Sequence, residues 1–381
     1  MIAWFYSLAV VSLLVGTAAI YMALIEAFPV RWLRWHYFIR KPVVWTIFVG
    51  TLSWGSMHPQ SFPALVAPLA LMALGIVLTH RMHQEVAFQA IDFPPQAEAE
   101  SLPLGDEMEI AIIEHGGVTR AYALDHLIHH HIINDHFGDR IVAVTYCAMC
   151  RSVIPFDVTE IGPLFVGSFK NANMIVADRR TKTFFQQATF RSLVGPLHPM
   201  DLTMVGYQLL TWKELKEAGD VPPFCRFTAT DLRAFQLPIP GLWRHIVSGE
   251  ATPGLSAARR NRELPARTHV IGLIDAGLPP VAVRRDDVRA KGMVTLPDLN
   301  VLLVSGGGGV NAFRVATAEG SRDLELTADH RIRDRVTGTS WTLRGKAVSG
   351  TSSEDLTPVA LSDEYWFSWK FFHPGARVVR V

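Results

Sequence analysis

Two long stretches without charged residues at the N-terminus restrict the fold of this chain more than any other feature. Residues 2–25 contain no Asp, Glu, Lys or Arg, and neither do residues 42–79. A helix of about 20 apolar residues crosses the roughly 30 Å hydrocarbon core of a bilayer. The first stretch therefore predicts one membrane-spanning helix. The second is too long for one span and has a polar turn at residues 57–61, so it predicts spans near residues 43–55 and 62–79.

The first apolar stretch is expected to remain in the membrane as an anchor. No basic segment precedes it and no cleavage site of small residues stands out, so a signal peptide is the weaker interpretation. We predict a membrane anchor at residues 1–83 with two to three transmembrane helices, and the lipid bilayer as its partner. Basic residues that favour the cytoplasmic side lie between the first two spans: Arg31, Arg34, Arg40 and Lys41. Three complete spans then place the rest of the chain inside, and two place it outside.

The chain beyond the anchor has the composition of a soluble domain, preceded by a linker at residues 84–107. The net charge of the whole chain is +1, and no basic stripe or phosphate-binding glycine loop of defined spacing occurs. Nucleic acid is therefore not an expected partner. Short apolar runs rich in β-branched and aromatic residues dominate, as at residues 141–145 and 152–156, and helical periodicity is rarer. These patterns predict an α+β fold that is rich in β-strands.

An internal repeat is the main organisational feature of the soluble part. Residues 178–185 and 334–341 share an Asp, an Arg, two Thr and a final aromatic residue at matching positions, and each copy is followed by a glycine, Gly195 or Gly350. We therefore predict a duplicated module with two pseudo-symmetric halves. The predicted boundaries are 108–237 for the first half, 238–267 for a crossing loop rich in Pro, Gly and Arg, and 268–381 for the second half. A loop of that length indicates either a binding role or disorder.

Two of the three cysteines, Cys147 and Cys150, lie two residues apart at the end of a β-like run in the first half. The second half has no cysteine, so the chemistry is expected in the first half. Paired thiolates at this spacing bind a soft metal ion, form a reversible disulfide or act as nucleophiles. A thioredoxin-like pair would sit at a helix N-terminus, but the residues after Cys150 are β-like and include Pro155. Three cysteines in the whole chain exclude a disulfide framework.

The motifs around the cysteines resemble those of the bacterial DUF3179 family of proteins of unknown function. The resemblance covers roughly residues 108–381. It rests on these positions: Asn134, Asp135, Gly138, Thr145, Tyr146, Cys147, Cys150, Ser152, Phe156, Asp157, Asn171, Asp178, Arg179, Thr181, Thr183, Gln187, Gly195, Trp366, Trp369, His373 and Pro374. The chain departs from the family pattern at Phe185, where Trp is usual, and at Ala148 and Met149, where Pro and Leu are common. The resemblance implies a bacterial inner-membrane protein but no particular reaction.

The residues near the cysteines suggest what the site binds. Candidate metal ligands are Cys147, Cys150 and His130, which lies four residues before Asn134, where the family pattern also tends to have His. Two thiolates with one imidazole suit copper or zinc. Candidate binding residues that belong to the family motifs are Asn134, Asp157, Asn171, Asp178 and Gln187. Asp178 is also expected to close a tight turn, because the second half retains the matching Asp334 without any cysteine.

Two classes of function follow from these candidates. The first is a membrane-anchored metal binder or a metal-dependent redox enzyme built on the two cysteines. The second is a metal-free thiol-disulfide oxidoreductase, or a ligand-binding module in which the cysteine pair is structural. The sequence leaves the choice open, and it names no small-molecule or protein substrate.

Overall fold

The computed structural model describes residues 2–227, 252–256, 261–274, 278–317, 320–321, 323–350 and 354–381. Most of the predicted crossing loop, residues 238–267, lies outside these ranges. The architecture is α+β, with helices at the N-terminus followed by a β-rich domain of several sheets. The helices are α1 Ile2–Leu24, α2 Val30–Met57, α3 Phe62–Arg81, α4 Gln84–Ala87, α5 Leu124–His130, α6 Trp212–Ala218, α7 Arg285–Lys291 and α8 Trp366–Phe372.

The N-terminal helices pack through small residues. A Cβ atom added to Gly16 of α1 would lie 2.7 Å from the carbonyl oxygen of Gly75 in α3, and one added to Gly75 would meet Ser12. Such close helix packing is typical of membrane helices. Within the described part of the chain, two helical segments, Ile2–Leu24 and Pro59–Arg81, are long and apolar enough to cross a membrane. The helix between them, α2, carries the predicted basic cluster in its first half.

The strands of the first half begin inside the predicted linker. Residues 84–107 contribute two short strands, one paired with β5 and one with β14, as well as helix α4. The strands are β1 Ile91–Asp92, β2 Gln96–Ala97, β3 Glu109–His115, β4 Val118–Ala123, β5 Ile132–Phe137, β6 Arg140–Cys147, β7 Ser152–Asp157, β8 Leu164–Lys170, β9 Asn173–Asp178, β10 Phe184–Gln186, β11 Ser192–Val194, β12 Thr203–Met204, β13 Tyr207–Thr211 and β14 Phe224–Cys225.

The strands of the second half follow the predicted crossing loop. They are β15 His269–Leu273, β16 Val281–Arg284, β17 Met293–Leu296, β18 Val301–Val304, β19 Asn311–Arg314, β20 Ala316–Thr317, β21 Gly320–Ser321, β22 Leu324–Leu326, β23 Ile332–Asp334, β24 Ser340–Trp341, β25 Ala347–Ser349, β26 Ser362–Tyr365 and β27 Arg377–Val379. Apolar runs form these strands because β-branched and aromatic side chains pack well on a pleated, half-buried surface.

The sheets of the two halves have corresponding strand orders. In the first half the order β13-β3-β4-β14 combines two antiparallel pairs with one parallel pair, and in the second half β26-β15-β16-β27 repeats these directions. In each half a short helix follows the central hairpin, α5 or α7, and an antiparallel three-stranded unit comes next. The hairpin β6–β7 therefore corresponds in chain order to β18–β19.

The repeated Asp-Thr segment forms a turn in both halves. Asp178 accepts hydrogen bonds from the backbone N–H groups of Thr181 and Thr183, and Asp334 accepts one from Thr337. The glycine that follows each copy lies against the turn. Gly195 has a φ of +136°, and a Cβ atom there would lie 2.5 Å from the Cα atom of Thr183. Only glycine combines this backbone angle with such close contact.

Candidate functional site

The two cysteines lie in a tight loop, residues 147–150, which we call the cysteine loop. It connects β6 to β7, where Cys147 pairs with Ser152, and the backbone N–H of Cys150 donates to the carbonyl oxygen of Cys147 over 3.1 Å. Arg151 closes the loop with a left-handed φ of 58°. The pair therefore lies in a β-hairpin and not at a helix N-terminus, as the sequence pattern after Cys150 predicted.

The sulfur atoms of the pair are in direct contact inside the protein. Cys147 Sγ and Cys150 Sγ are 3.1 Å apart, and both side chains are fully buried. Cys150 Sγ also lies 3.0 Å from the carbonyl oxygen of Ala172, to which its S–H donates in the dithiol form. The side-chain amide of Asn173 donates to Cys150 Sγ over 3.2 Å. Cys150 Sγ is therefore held by polar groups from the β8–β9 turn and from the first residue of β9.

The two thiols have opposite electrostatic environments. Burial raises the pKa of Cys147, but hydrogen bonds from the Cys150 thiol and from the backbone N–H groups of Cys150 and Met174 outweigh it and lower the pKa overall. When Cys147 has lost its proton, the Cys150 thiol is therefore the donor. Burial, that hydrogen bond and the charge of Cys147 raise the pKa of Cys150 well above its ordinary value. The arrangement favours a thiolate at Cys147 and a thiol at Cys150.

A buried network of hydrogen-bonded side chains lies next to the cysteine loop and supports it. Gln187 donates to Thr145 Oγ1 over 2.8 Å and accepts from Ser152 Oγ and Asn173 Nδ2. Gln186 donates to Asn173 Oδ1 over 2.6 Å and thereby fixes the orientation of the amide that contacts Cys150. Because all these groups are buried, each lost hydrogen bond leaves a partner without water to replace it.

A cluster of buried and half-buried charged groups lies beside the loop, between the two halves. Arg151 forms ion pairs with Glu109 and, over 3.7 Å, with Asp363. Arg285 also pairs with Glu109 and lies 3.3 Å from Asp363. Burial and the charge of Arg151 lower the pKa of His269 to about 4, so its neutral ring accepts a hydrogen bond from Arg151. Glu109 and Arg151 belong to the first half. The second half contributes His269, Arg285 and Asp363.

Strand β26 of the second half covers the cysteine loop. The backbone N–H of Tyr365 donates to the carbonyl oxygen of Cys150 over 2.9 Å. The neighbouring Glu364 is fully buried, and burial raises the pKa of its carboxyl to about 7, although hydrogen bonds from Ser368 and Ser362 lower it. The charge of Glu364 in turn raises the pKa of both cysteines. The site is therefore completed by residues more than 200 positions away in the chain.

The predicted site residues fall into two groups. The structure brings Gln187 and the two cysteines together, and it places Asn171 in the turn next to Ala172, with a φ of 53°. The remaining candidates bond elsewhere. Asn134 joins Asp92 and Leu164, Asp157 accepts from Thr159 and from His115 over 3.0 Å, and Asp178 closes its turn. His130 Nδ1 lies 2.7 Å from the carbonyl oxygen of Gln89.

The residues that the structure describes do not bring a complete set of metal ligands together. No group of three or more His, Cys, Asp or Glu residues in those parts of the chain is arranged to hold a metal ion. Two thiolates on one tetrahedral zinc ion, at Zn–S distances near 2.3 Å, would be about 3.8 Å apart. The observed 3.1 Å between the sulfurs is shorter. Copper or zinc binding by Cys147, Cys150 and His130 stays a prediction.

Comparison with known protein families identifies the chain. The model of the family described as "Protein of unknown function (DUF3179)" matches residues 87–376. The chain belongs to this family. The match begins at Ala87, so the DUF3179 region includes most of the segment predicted as a linker as well as both halves. No curated protein and no solved structure matches the chain.

The residues at which this DUF3179 protein differs from the family pattern lie in different environments. Phe185 is fully buried, so its ring fills core volume. Met149, inside the cysteine loop, lines a cavity next to the N-terminal helices. Sequence reasoning missed Asn173 and Glu364. Asn173 lies only two residues from the predicted Asn171, whereas nothing in the local sequence links Glu364 to the cysteines.

Proposed function

We propose that Cys147 and Cys150 form a reversible dithiol–disulfide centre in a membrane-anchored oxidoreductase. The 3.1 Å contact between the two sulfur atoms is the observation that carries the proposal. A disulfide bond is about 2.05 Å long, so the sulfurs need to approach by only about 1 Å. On oxidation the Cys147 thiolate and Cys150 form one S–S bond, the S–H bond of Cys150 breaks, and two electrons pass to a small oxidant together with the proton of Cys150 and the one that Cys147 released. A folded protein disulfide reaches the fully buried pair only if the loop opens.

The surrounding residues have distinct roles in this proposal. Cys147 is the nucleophilic thiolate, since three hydrogen bonds stabilise its charge. Cys150 keeps its proton until Cys147 reacts. Asn173 is a positioning residue, because its amide contacts Cys150 Sγ and is itself fixed by Gln186. Glu364 sets the local charge beside both sulfurs.

Thiol trapping tests the proposal directly. The full-length protein is equilibrated with mixtures of reduced and oxidised dithiothreitol and then alkylated with a mass-tagged maleimide. We expect Cys147 and Cys150 to gain and lose two tags together, reversibly, with one midpoint potential. Cys225→Ala serves as the matched control, because the third cysteine is buried in the hydrophobic core and should not affect the midpoint. A pair that never forms a disulfide under oxidising conditions contradicts the proposal.

A second candidate function is copper or zinc binding by the same two sulfurs together with His130. The backbone N–H groups that stabilise a thiolate at Cys147 favour it, because the thiolate is also the metal ligand. Elemental analysis of protein purified without added metal, for the wild type and Cys147→Ser, separates the two functions. One equivalent of metal that is lost in the variant supports the metal site. Metal-free protein with a reversible disulfide supports the redox centre.

We further propose that the domain arose by duplication and that only the first half kept the site. The corresponding strand orders and the two Asp-Thr turns support this. In the second half, glycines 306–309 occupy the position between β18 and β19 that the cysteine loop occupies between β6 and β7. Each loop is contacted by a segment of the other half. Strand β26 of the second half covers the cysteine loop, and Glu214, which follows β13 of the first half, accepts a hydrogen bond from Gly308 N–H over 3.0 Å. The proposed boundaries remain 108–237 and 268–381.

For the membrane region we propose three spans in the bacterial inner membrane. In this topology α2 begins on the side of the membrane that carries the β-rich domain and ends on the opposite side, and α3 crosses back. The basic residues of α2 and Arg81 therefore lie at the helix ends that face the domain. The positive-inside rule then favours a cytoplasmic domain. In that compartment a Cys-x-x-Cys pair more often serves catalysis or metal binding than a structural disulfide. Labelling of single-cysteine variants in intact cells tests this sidedness.

A further inference from the structure

A cavity of about 570 Å³ lies where the membrane helices meet the β-rich domain. One wall is formed by the ends of α1 and α3 and by α4, through residues such as Leu24, Met82 and Ala87. The opposite wall belongs to the domain and includes Met149 and Ala172. The volume is in the range of cavities that hold small organic ligands. The position, at the domain-facing ends of apolar helices, makes the cavity accessible to a molecule dissolved in the bilayer.

The cavity adjoins the cysteine pair. Met149 is a member of the cysteine loop and lies between the two cysteines in the chain. Ala172 lines the cavity, and its carbonyl oxygen is 3.0 Å from Cys150 Sγ. The sulfurs themselves are fully buried. The cavity shares a wall with the loop, so a ligand in it is separated from the sulfurs by little more than one residue.

The lining combines aromatic rings with one polar atom that lacks a partner. Phe88, His131 and Phe169 form edge-to-face contacts, with ring centroids 4.5 Å apart for Phe88 and His131 and 5.4 Å for Phe88 and Phe169. Such a set suits a flat ring. Gln84 is 7% exposed, and its amide donates to the carbonyl oxygen of Ala19, but its Oε1 atom has no hydrogen-bond partner among the described residues. This oxygen is itself buried, so a ligand hydroxyl group would supply the missing donor once the Gln84 side chain turns toward the cavity.

We propose that the cavity binds a membrane quinone, which exchanges two electrons with Cys147 and Cys150. The assignment rests on the dithiol function proposed above. The thiolate of Cys147 and the sulfur of Cys150 form the S–S bond as the S–H bond of Cys150 breaks, while the two C=O groups of the quinone become C–OH groups. The quinone gains the two electrons lost by sulfur, the proton of Cys150 and the proton that Cys147 had released, and a hydroxyl group of the resulting quinol donates to Gln84 Oε1. A phospholipid acyl chain would fill the same apolar space but offers neither a donor nor an electron acceptor.

The test uses full-length protein in nanodiscs, reduced and kept without oxygen. Decylubiquinone is added, and disulfide formation is followed by alkylation with a mass-tagged maleimide. We expect one disulfide per quinone reduced. Ala87→Trp, which fills the cavity, should slow this oxidation by about tenfold or more, equivalent to roughly 1.4 kcal/mol of lost binding or activation energy. Val86→Trp is the matched control, because Val86 is exposed on the same helix and does not line the cavity.

Further measurements separate the possible failures. Diamide, a soluble oxidant, is applied to the same samples. If diamide oxidises the pair but decylubiquinone does not, or if both Trp variants react at the same rate, the quinone site is refuted while the dithiol centre stands. If neither oxidant forms the disulfide, both proposals fall. Binding of the reduced form, decylubiquinol, to the Cys147→Ser, Cys150→Ser double variant, measured by calorimetry without oxygen, should be weakened by Gln84→Leu. Equal affinity, or retention of phospholipid alone, also overturns the assignment.

Discussion

Replacing Glu364 by Gln should change how the stability of the protein depends on pH. The carboxyl group is fully buried, and burial raises its pKa from 4.5 in the unfolded chain to about 7 in the fold. A raised pKa means that the folded protein holds the proton more tightly. The stabilisation is therefore complete below pH 4.5 and is lost as the pH rises to about 7. At pH 8 the ionised carboxylate costs roughly 3 kcal/mol, and at pH 5 less than about 1 kcal/mol.

Glu364→Gln keeps the shape of the side chain and the hydrogen bond from Ser362, but it cannot ionise. The gap in Tm between the variant and the wild type should consequently grow in favour of the variant by about 5–10 °C from pH 5 to pH 8, at roughly 2–4 °C per kcal/mol. The assay is thermal unfolding of full-length protein in detergent at both pH values. The exposed Glu217→Gln controls for the change in net charge. The same Tm gap at pH 5 and pH 8 would refute the reasoning.

Three further predictions concern the loop, the turn and the support network. Cys150→Ala should raise the pKa of Cys147, because a charge-assisted hydrogen bond to the thiolate is lost, whereas Cys150→Ser should retain most of the effect; thiolate absorbance against pH measures both. Gly195→Ala should lower the free energy of unfolding by about 2–4 kcal/mol, whereas Gly162→Ala should lower it by about 1 kcal/mol, because the space around Gly162 is open. Equal losses of Tm in the two variants would contradict the packing argument. Gln187→Ala should lower the free energy of unfolding by about 2–4 kcal/mol, because its buried hydrogen bonds are lost. Disulfide formation should remain intact, since Gln187 does not contact either sulfur.

Local sequence patterns predicted the parts of the fold that depend on neighbouring residues. The β-like run ending at Cys147 forms β6, and the Asp178 turn has the side-chain hydrogen bonds that Asp and Thr at this spacing favour. Helix α5 begins at Leu124 and ends at His130, because His131 adopts a left-handed φ of 60° and β5 begins directly after it. This helix end separates the histidines: His130 bonds to Gln89, and His131 lies against Phe88.

The residues that complete the site could not be predicted in the same way. Asn171 and Ala172 both have positive φ values, so the chain reverses there and Asn173, the first residue of β9, is the one whose amide meets Cys150. A two-residue difference of this kind depends on turn geometry that composition does not reveal. Glu364 is beside the cysteines because β26 of the second half lies over the loop of the first. Pairing between such distant segments has no local signal in a single sequence.

The N-terminal helices contribute to the support of the site. Lys170, at the end of β8 and only 3% exposed, donates to the carbonyl oxygens of Met22 and Ile25 at 3.2 and 2.5 Å, and so stabilises the C-terminal end of α1. Two residues later in the chain, the Ala172 carbonyl oxygen accepts from Cys150, and Asn173 follows. A movement of α1 relative to the domain therefore acts on the β8–β9 turn that holds the sulfur. Because the same helix end lines the cavity, the occupancy of the cavity and the geometry of Cys150 are expected to be coupled through Lys170.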